Sequence, residues 1–232
     1  MSTLSVVGTP IGNLEDITLR ALRVLAEADL VLCEDTRVTA TLLSAHEVPA
    51  KGRLASFPSN ERAYGEVSGG AKRAIEVLND GGHVALVSDA GTPGISDPGG
   101  AFVSLVRERM PEVKIEAIPG ASALAAAVSI AGVPAPSFTF YGFLPHKKGR
   151  ETILKEIAAD SRASVFYESP HRVEKMLTSL AKLAPDRQIA LARELTKMFE
   201  EVSRGTAAEL LAQIEANPNK GRGEFVAVVA AK

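Results

Sequence analysis

The chain has 232 residues, 46% of them apolar, enough for one large domain or two small ones with a real core. A formal net charge of −2 excludes a global basic field for nucleic acid, and a single cysteine, Cys33, excludes a disulfide framework or a cysteine-based zinc site. No apolar run approaches the ~18 residues of a membrane-spanning helix, and the lack of tryptophan limits stacking platforms for single-stranded nucleic acid.

Leu4 to Gly8 reads as a first strand, entered at once from the chain start, so the expectation is a cytoplasmic protein without a membrane partner. It ends in the loop Gly8-Thr9-Pro10-Ile11-Gly12-Asn13. Asp16 or Thr18 caps the next helix, whose Leu19, Leu22, Leu25 and Ala26 recur at helical spacing. Asp29 to Cys33 is a second strand, with Cys33 a buried structural thiol, and it runs into Glu34-Asp35-Thr36-Arg37. A helix over 38–45 and a weaker strand, Arg53 to Phe57, follow. Ala71, Ala74, Ile75 and Leu78 share one face of a helix over 61–80, although Ser68-Gly69-Gly70 is a poor helix interior. His83 to Val87 is a buried strand, Ala101 to Met110 a helix and Val113 to Ile118 a strand. After Pro119-Gly120-Ala121-Ser122 an alanine-rich helix runs to Ala131. This βα alternation argues for a mostly parallel sheet covered by helices.

The second half differs. Strands are expected at Ser137–Phe143, Ala163–Tyr167, Gln188–Ala192, Phe199–Ser203 and Gly223–Ala230, with helices over 151–159, 173–183 and 206–216. Thr206 and Glu209 are spaced as a capping box. Fewer helices separate these strands, which predicts a mixed sheet. The expected division is an N-terminal α/β domain over 1–118 and a C-terminal α/β domain over 119–232.

The most unusual stretch is Ser88 to Gly100, which carries four glycines, two prolines and two aspartates in thirteen residues just after a strand. A side-chain-poor loop at a strand's carboxyl end is where open α/β sheets hold ligands, though a plain turn uses the same residues. Pro10, Pro119 and Pro170 stand in comparable loops. None matches the dinucleotide or P-loop glycine patterns, and the four histidines are scattered without a metal-ligand spacing, so no metal is expected. His146-Lys147-Lys148-Gly149-Arg150 is the best local patch for nucleic-acid phosphates.

Seven motifs occur in the order of one family: Gly8-Thr9-Pro10-Ile11-Gly12-Asn13-Leu14, Glu34-Asp35-Thr36-Arg37, Ser88 through Gly99, Pro119-Gly120, Gly142-Phe143-Leu144-Pro145, Tyr167-Glu168-Ser169-Pro170-His171-Arg172 and Ala192-Arg193-Glu194-Leu195-Thr196-Lys197. The chain resembles the ribosomal RNA 2′-O-methyltransferases of the tetrapyrrole-methylase superfamily over essentially its whole length. The resemblance implies a two-domain α/β fold with S-adenosylmethionine in the interdomain cleft, a homodimer, and a cytidine ribose in the decoding region of 16S ribosomal RNA as target. It places Ser88, Asp89, Ala90, Gly91 and Pro93 around the cofactor, with Pro10, Ser122 and Ala123 as neighbours and Tyr167 and Leu195 as contacts from the second domain.

Two departures stand out. The third-strand loop, Ser56 to Glu61, lacks the histidine common in the family, so no role for it carries over. Gly100 stands where an aromatic is common and Gly94 where a bulkier residue often sits.

Methyl transfer to a ribose hydroxyl depends mainly on positioning, helped by a base or a polarising cation. Candidates are His171, Lys197, Glu168 and Asp35, with Lys197 and His171 favoured as assistants. His171 equally suits a helix-opening or phosphate-contact role, Lys197 a phosphate contact, and Arg37 and Arg193 ion pairs beside Glu34 or Glu194. The rival readings are a tetrapyrrole methyltransferase and a non-enzymatic ribosome-assembly factor that retains the fold.

Overall fold

Leu30 to Cys33 is apolar at every position, the pattern of a strand covered on both faces. In the computed structural model, which describes residues 1–50, 52–57 and 69–232, this segment is buried throughout. The chain divides into two compact units, Met1–Ser122 and Ala123–Lys232.

In the first unit the described strands are β1 (Thr3–Val7), β2 (Leu30–Cys33), β3 (Leu54–Ser56), β4 (His83–Leu86) and β5 (Lys114–Ile118). They pair in the order β3-β2-β4-β1-β5, every pairing parallel. The helices are α1 (Leu19–Glu27), α2 (Thr36–Ala45), α3 (Gly69–Asn79) and α4 (Gly99–Arg109). Alternation along the strands separates two cores. Leu30, Leu32, Val84 and Leu86 pack with Leu78 of α3 and Phe102 of α4. Val31, Cys33, Ala85 and Val87 pack with Leu25 of α1 and Leu43 of α2. Cys33 is fully buried, and burial pushes its thiol pKa up.

Local signals account for the helix starts. Thr18 caps α1 by accepting from the Ala21 N–H at 3.0 Å, and Asp35 caps α2 by accepting from the Arg37 N–H at 2.8 Å. The expected first half of the α3 helix, with Pro58 to Arg62 and the rest of the third-strand loop, lies outside the described residues. Gly70 sits where α3 passes the end of β3, and a Cβ there would collide with the Ser56 carbonyl.

The second unit begins with α5 (Ala123–Ile130), followed by β6 (Phe138–Phe143), α6 (Arg150–Ala159), β7 (Ala163–Glu168), α7 (Val173–Leu183), β8 (Ile189–Arg193), β9 (Glu201–Gly205), α8 (Ala207–Ala216) and β10 (Phe225–Val229). Its sheet runs β6-β7-β10-β8-β9; β6 and β7 are parallel and the remaining pairs antiparallel, so the mixed sheet is as expected. The Thr206–Glu209 capping box opens α8. Because β7 and β8 both run antiparallel to β10, they point the same way. Phe225 pairs with Glu168 on one side and Arg193 on the other. The loops after β7 and β8 therefore leave from one edge.

That edge is tied down by a buried carboxylate. Glu168, fully buried at its side chain, meets Arg150 Nη2 at 2.5 Å and Arg172 Nε at 2.9 Å, and accepts from the Ser169 N–H at 2.9 Å. Arg172 in turn donates to the Leu144 carbonyl at 2.9 Å. Removing one partner of such a group leaves uncompensated buried charge. Glu168→Ala is expected to cost about 3–5 kcal/mol, measured as a lowered denaturant midpoint in urea unfolding; a midpoint within error of the parent would show the cluster to be energetically idle.

Candidate functional site

Parallel strands end on one edge, and β4, β1 and β5 are neighbours, so the loops after them emerge side by side. They are joined through main chain. The Thr9 N–H donates to the Gly91 carbonyl at 3.0 Å, and the Gly91 N–H donates to the Pro10 carbonyl at 3.3 Å. Thr9 Oγ1 donates to the Ser88 and Gly91 carbonyls at 3.2 Å each, and Ser88 Oγ donates to the Gly91 carbonyl at 3.1 Å. Thr92 Oγ1 donates to the Ala121 carbonyl at 3.1 Å, and the Gly8 N–H to the Ile118 carbonyl at 3.0 Å. A Cβ on Gly8 would stand 2.7 Å from Gly120 Cα, and one on Gly120 as close to Gly8. No other residue type allows that approach. These contacts keep Pro119 to Ser122 within the first unit.

Pro10, Ser88, Gly91 and Pro93 are thus brought together and buried, while Ala90 is exposed. Asp89 is partly buried, and burial pushes its carboxyl pKa up. Its Oδ1 accepts from the Asp35 N–H at 2.9 Å, binding the loop after β2 to the one after β4. Hydrogen bonds from the Arg37 side chain and backbone hold the pKa of the Asp35 carboxyl down at about 2. Arg37 pairs with Asp35 at 2.5 Å.

The far half of the loop is organised by Asp97, whose role sequence reading missed. Its carboxylate accepts from the N–H groups of Gly94 (2.8 Å), Ile95 (2.9 Å) and Gly99 (2.7 Å). Such a nest of amides is where a phosphate would bind, and here the chain's own carboxylate fills it. An Asp-Pro-Gly sequence opening a helix was the available signal. Ser96, within the nest, has φ +67. Gly94 and Gly100 lie against each other: a Cβ on Gly100 would be 3.8 Å from Gly94 Cα.

In the second unit, Tyr167 packs edge-on to Phe140 and Phe143 with ring centroids 5.1 and 5.2 Å away. Burial pushes its phenol pKa up. Ala123 opens α5. Leu195 is buried between Glu194 (φ +50) and Thr196 (φ +65), two non-glycine residues in left-handed conformation. That strain is held by a second network: Glu194 Oε1 accepts from the Glu224 N–H at 2.8 Å, and Thr196 N–H donates to Glu200 Oε2 at 2.5 Å. Lys197 Nζ lies 3.1 Å from Glu194 and 2.8 Å from Glu224. Burial alone would lower its pKa, but hydrogen bonds and charge from the two carboxylates outweigh it and raise it. His171 is exposed in the turn before α7, and Arg193 pairs with Glu201 at 3.3 Å. Two sequence readings are corrected. Glu168 is locked in its buried ion pairs and is not a free base. Arg150 is turned inward onto it and leaves the expected surface patch.

The tetrapyrrole (corrin/porphyrin) methylase family model matches residues 3–211. "Ribosomal RNA small subunit methyltransferase I" of Neisseria meningitidis serogroup B is 45% identical over 98% of this chain and 75% of its own. The protein of that name from Thermotoga maritima is 43% identical over the whole of both chains. Among solved structures, the methyltransferase CobJ superposes with a TM-score of 0.70 at 24% identity, over 100% of this chain and 95% of its own. Uroporphyrin-III C-methyltransferase from Thermus thermophilus, complexed with S-adenosylhomocysteine, gives 0.64 at 19% identity, over 99% and 97%. These two show the same fold.

The loop's two unusual glycines differ in what they tolerate. Gly94 has φ +91, where an L side chain costs about 1–2 kcal/mol, whereas Gly100 lies in the first turn of α4 with room for a methyl group. Gly94→Ala is expected to lower the thermal midpoint, and Gly100→Ala to leave it unchanged or raise it slightly. Equal losses in differential scanning calorimetry would contradict this account.

Proposed function

Because the chain belongs to the tetrapyrrole methylase family, we propose that it transfers a methyl group from S-adenosylmethionine to a cytidine ribose 2′-hydroxyl in the decoding region of 16S ribosomal RNA. The observation that carries the cofactor half is the main-chain wall made by the loops around Thr9, Gly91 and Gly120. Its small residues let a flat ring and a ribose come close to carbonyl and amide groups. Farther along the same loop the amides of Gly94, Ile95 and Gly99 are taken up by Asp97, which suits a ligand without a phosphate there. Pro10, Ser88, Asp89, Ala90, Gly91, Pro93, Ser122 and Ala123 would hold it. For Tyr167 and Leu195 the assignment rests on the family resemblance alone.

When bound, S-adenosylmethionine supplies a sulfonium methyl as electrophile. The chain then has little covalent work to do, and positioning provides most of the rate. Lys197, kept charged by Glu194 and Glu224, stabilises negative charge developing on a ribose oxygen. His171 is exposed on the same sheet edge and assists by taking the proton or by contacting a phosphate.

RNA is favoured over a tetrapyrrole because relatives named for ribosomal RNA match at 40–45% identity across nearly the whole chain, whereas the tetrapyrrole enzymes share the fold at 24% or less. The same relatives and the intact main-chain wall argue against a non-enzymatic assembly factor. A homodimer and a cytoplasmic location belong to this proposal. Among the described residues no helix is long and apolar enough to cross a membrane.

Two measurements check the reading. Mapping 2′-O-methylation on small-subunit RNA with and without the protein should reveal one cytidine modified only in its presence; an unchanged map rules the activity out. In single-turnover assays, Lys197→Ala should slow transfer roughly 10²-fold, the scale of losing one electrostatic stabiliser, and His171→Ala should slow it less. Lys197→Arg should retain more of the rate, since charge rather than proton transfer is at stake. Near-parental rates in both alanine variants would remove the two residues from the mechanism.

A further inference from the structure

The buried Arg150 leaves the expected basic loop one charge poorer, but folding adds two lysines that lie far along the chain. Between α6 and α7 runs a groove of about 460 Å³, lined in part by Lys147, Glu151, Lys175, Ser179 and Lys182. Lys147, Lys175 and Lys182 are exposed, and among the described residues none of the three is in an ion pair. Three other lysines of the same unit are engaged elsewhere: Lys155 on Glu151, Lys197 on Glu194 and Glu224, and Lys220 on Glu201. Glu151, the groove's one carboxylate, is taken up by Lys155 at 2.9 Å. The groove is therefore a positive channel on a chain whose net charge is −2.

Lys175 and Lys182 are separated by two turns of α7, roughly 10 Å along its axis. Spaced along the groove in this way, they suit successive charges of a polymer. The start of α7 lies at the sheet edge that carries His171 and Lys197, with Lys147 in the loop leaving β6 at that edge, and the groove runs from there towards the end of α7.

We propose that this groove binds the phosphodiester backbone of the RNA that flanks the target nucleotide, through Lys147, Lys175 and Lys182. The assignment rests on the RNA reading above and adds the surface that recognises the strand. Lysine contacts of this kind hold and orient without reading sequence, so the groove supplies affinity and register and leaves nucleotide choice elsewhere.

The test compares the full chain with K147Q/K175Q/K182Q and with K72Q/R107Q/R109Q, which removes as many charges from exposed positions of the first unit. Binding of a fluorescently labelled small-subunit RNA fragment is followed by anisotropy at several salt concentrations. S-adenosylmethionine binding is followed by calorimetry. The groove variant should bind RNA about 10- to 100-fold more weakly at low salt, with the slope of log K against log[salt] reduced by about 2, as expected for three lost phosphate contacts. Its S-adenosylmethionine binding should equal the parent's, which also reports that it folds, and the control variant should keep the parent's slope. A groove variant with the parent's slope and affinity overturns the proposal. So does an equal loss in the control, which would mark a general charge effect. A parent chain that binds S-adenosylmethionine but shows no salt-dependent RNA binding overturns the RNA reading itself, and the parent measurement alone distinguishes that case.

Discussion

Gly8 and Gly120 meet main chain to main chain, and the geometry of the first unit's loop edge depends on that contact. A single methyl group on either would overlap the other's backbone. The contact is possible only because β1 and β5 are adjacent and parallel, so that their carboxyl ends arrive together. From there the ties spread outward: Thr9 and Pro10 to Gly91, Thr92 to Ala121, and Asp89 to the backbone of Asp35. Side chains contribute mainly hydroxyls and the carboxylates of Asp89 and Asp97, so the loop surface is shaped chiefly by peptide groups.

The second unit solves a different problem by burying charge. Glu168 draws Arg150 and Arg172 inward and joins the loops after β6 and β7. A buried ionic cluster is a poor way to gain stability, but it fixes geometry because any displacement leaves charge unpaired. The loop after β8 uses the same means near the surface, with Lys197 between two carboxylates and Leu195 between two left-handed residues. Rigid main chain in one unit and paired charge in the other both reduce the ordering that a ligand must otherwise impose.

Much of this was legible in the sequence, and the exceptions have physical causes. Strands such as Leu30–Cys33 and helices such as α8 announce themselves through apolar runs and a capping box, which are local signals. The grouping of the Pro10, Pro93 and Pro119 loops followed from βα alternation alone, since parallel strands share an edge. What sequence could not show was partner choice. Glu168 looked like a free carboxylate and Arg150 like surface charge until folding placed them 2.5 Å apart. Asp97 looked like one more loop residue because its three partners are amides, which carry no sequence signature. Lys175 and Lys182 were overlooked because a polar helix face seldom reveals which neighbour it borders.

The Asp97 carboxylate has a consequence for selectivity among adenosine-bearing molecules. Adenosine triphosphate shares its nucleoside with the methyl donor named above, and cells hold it in abundance. A loop with vacant amides would welcome the triphosphate tail. Here those amides already donate to an internal carboxylate and are not left over as donors for a phosphate tail. On the proposed reading, discrimination against the commonest adenine nucleotide is built into the loop before any ligand arrives.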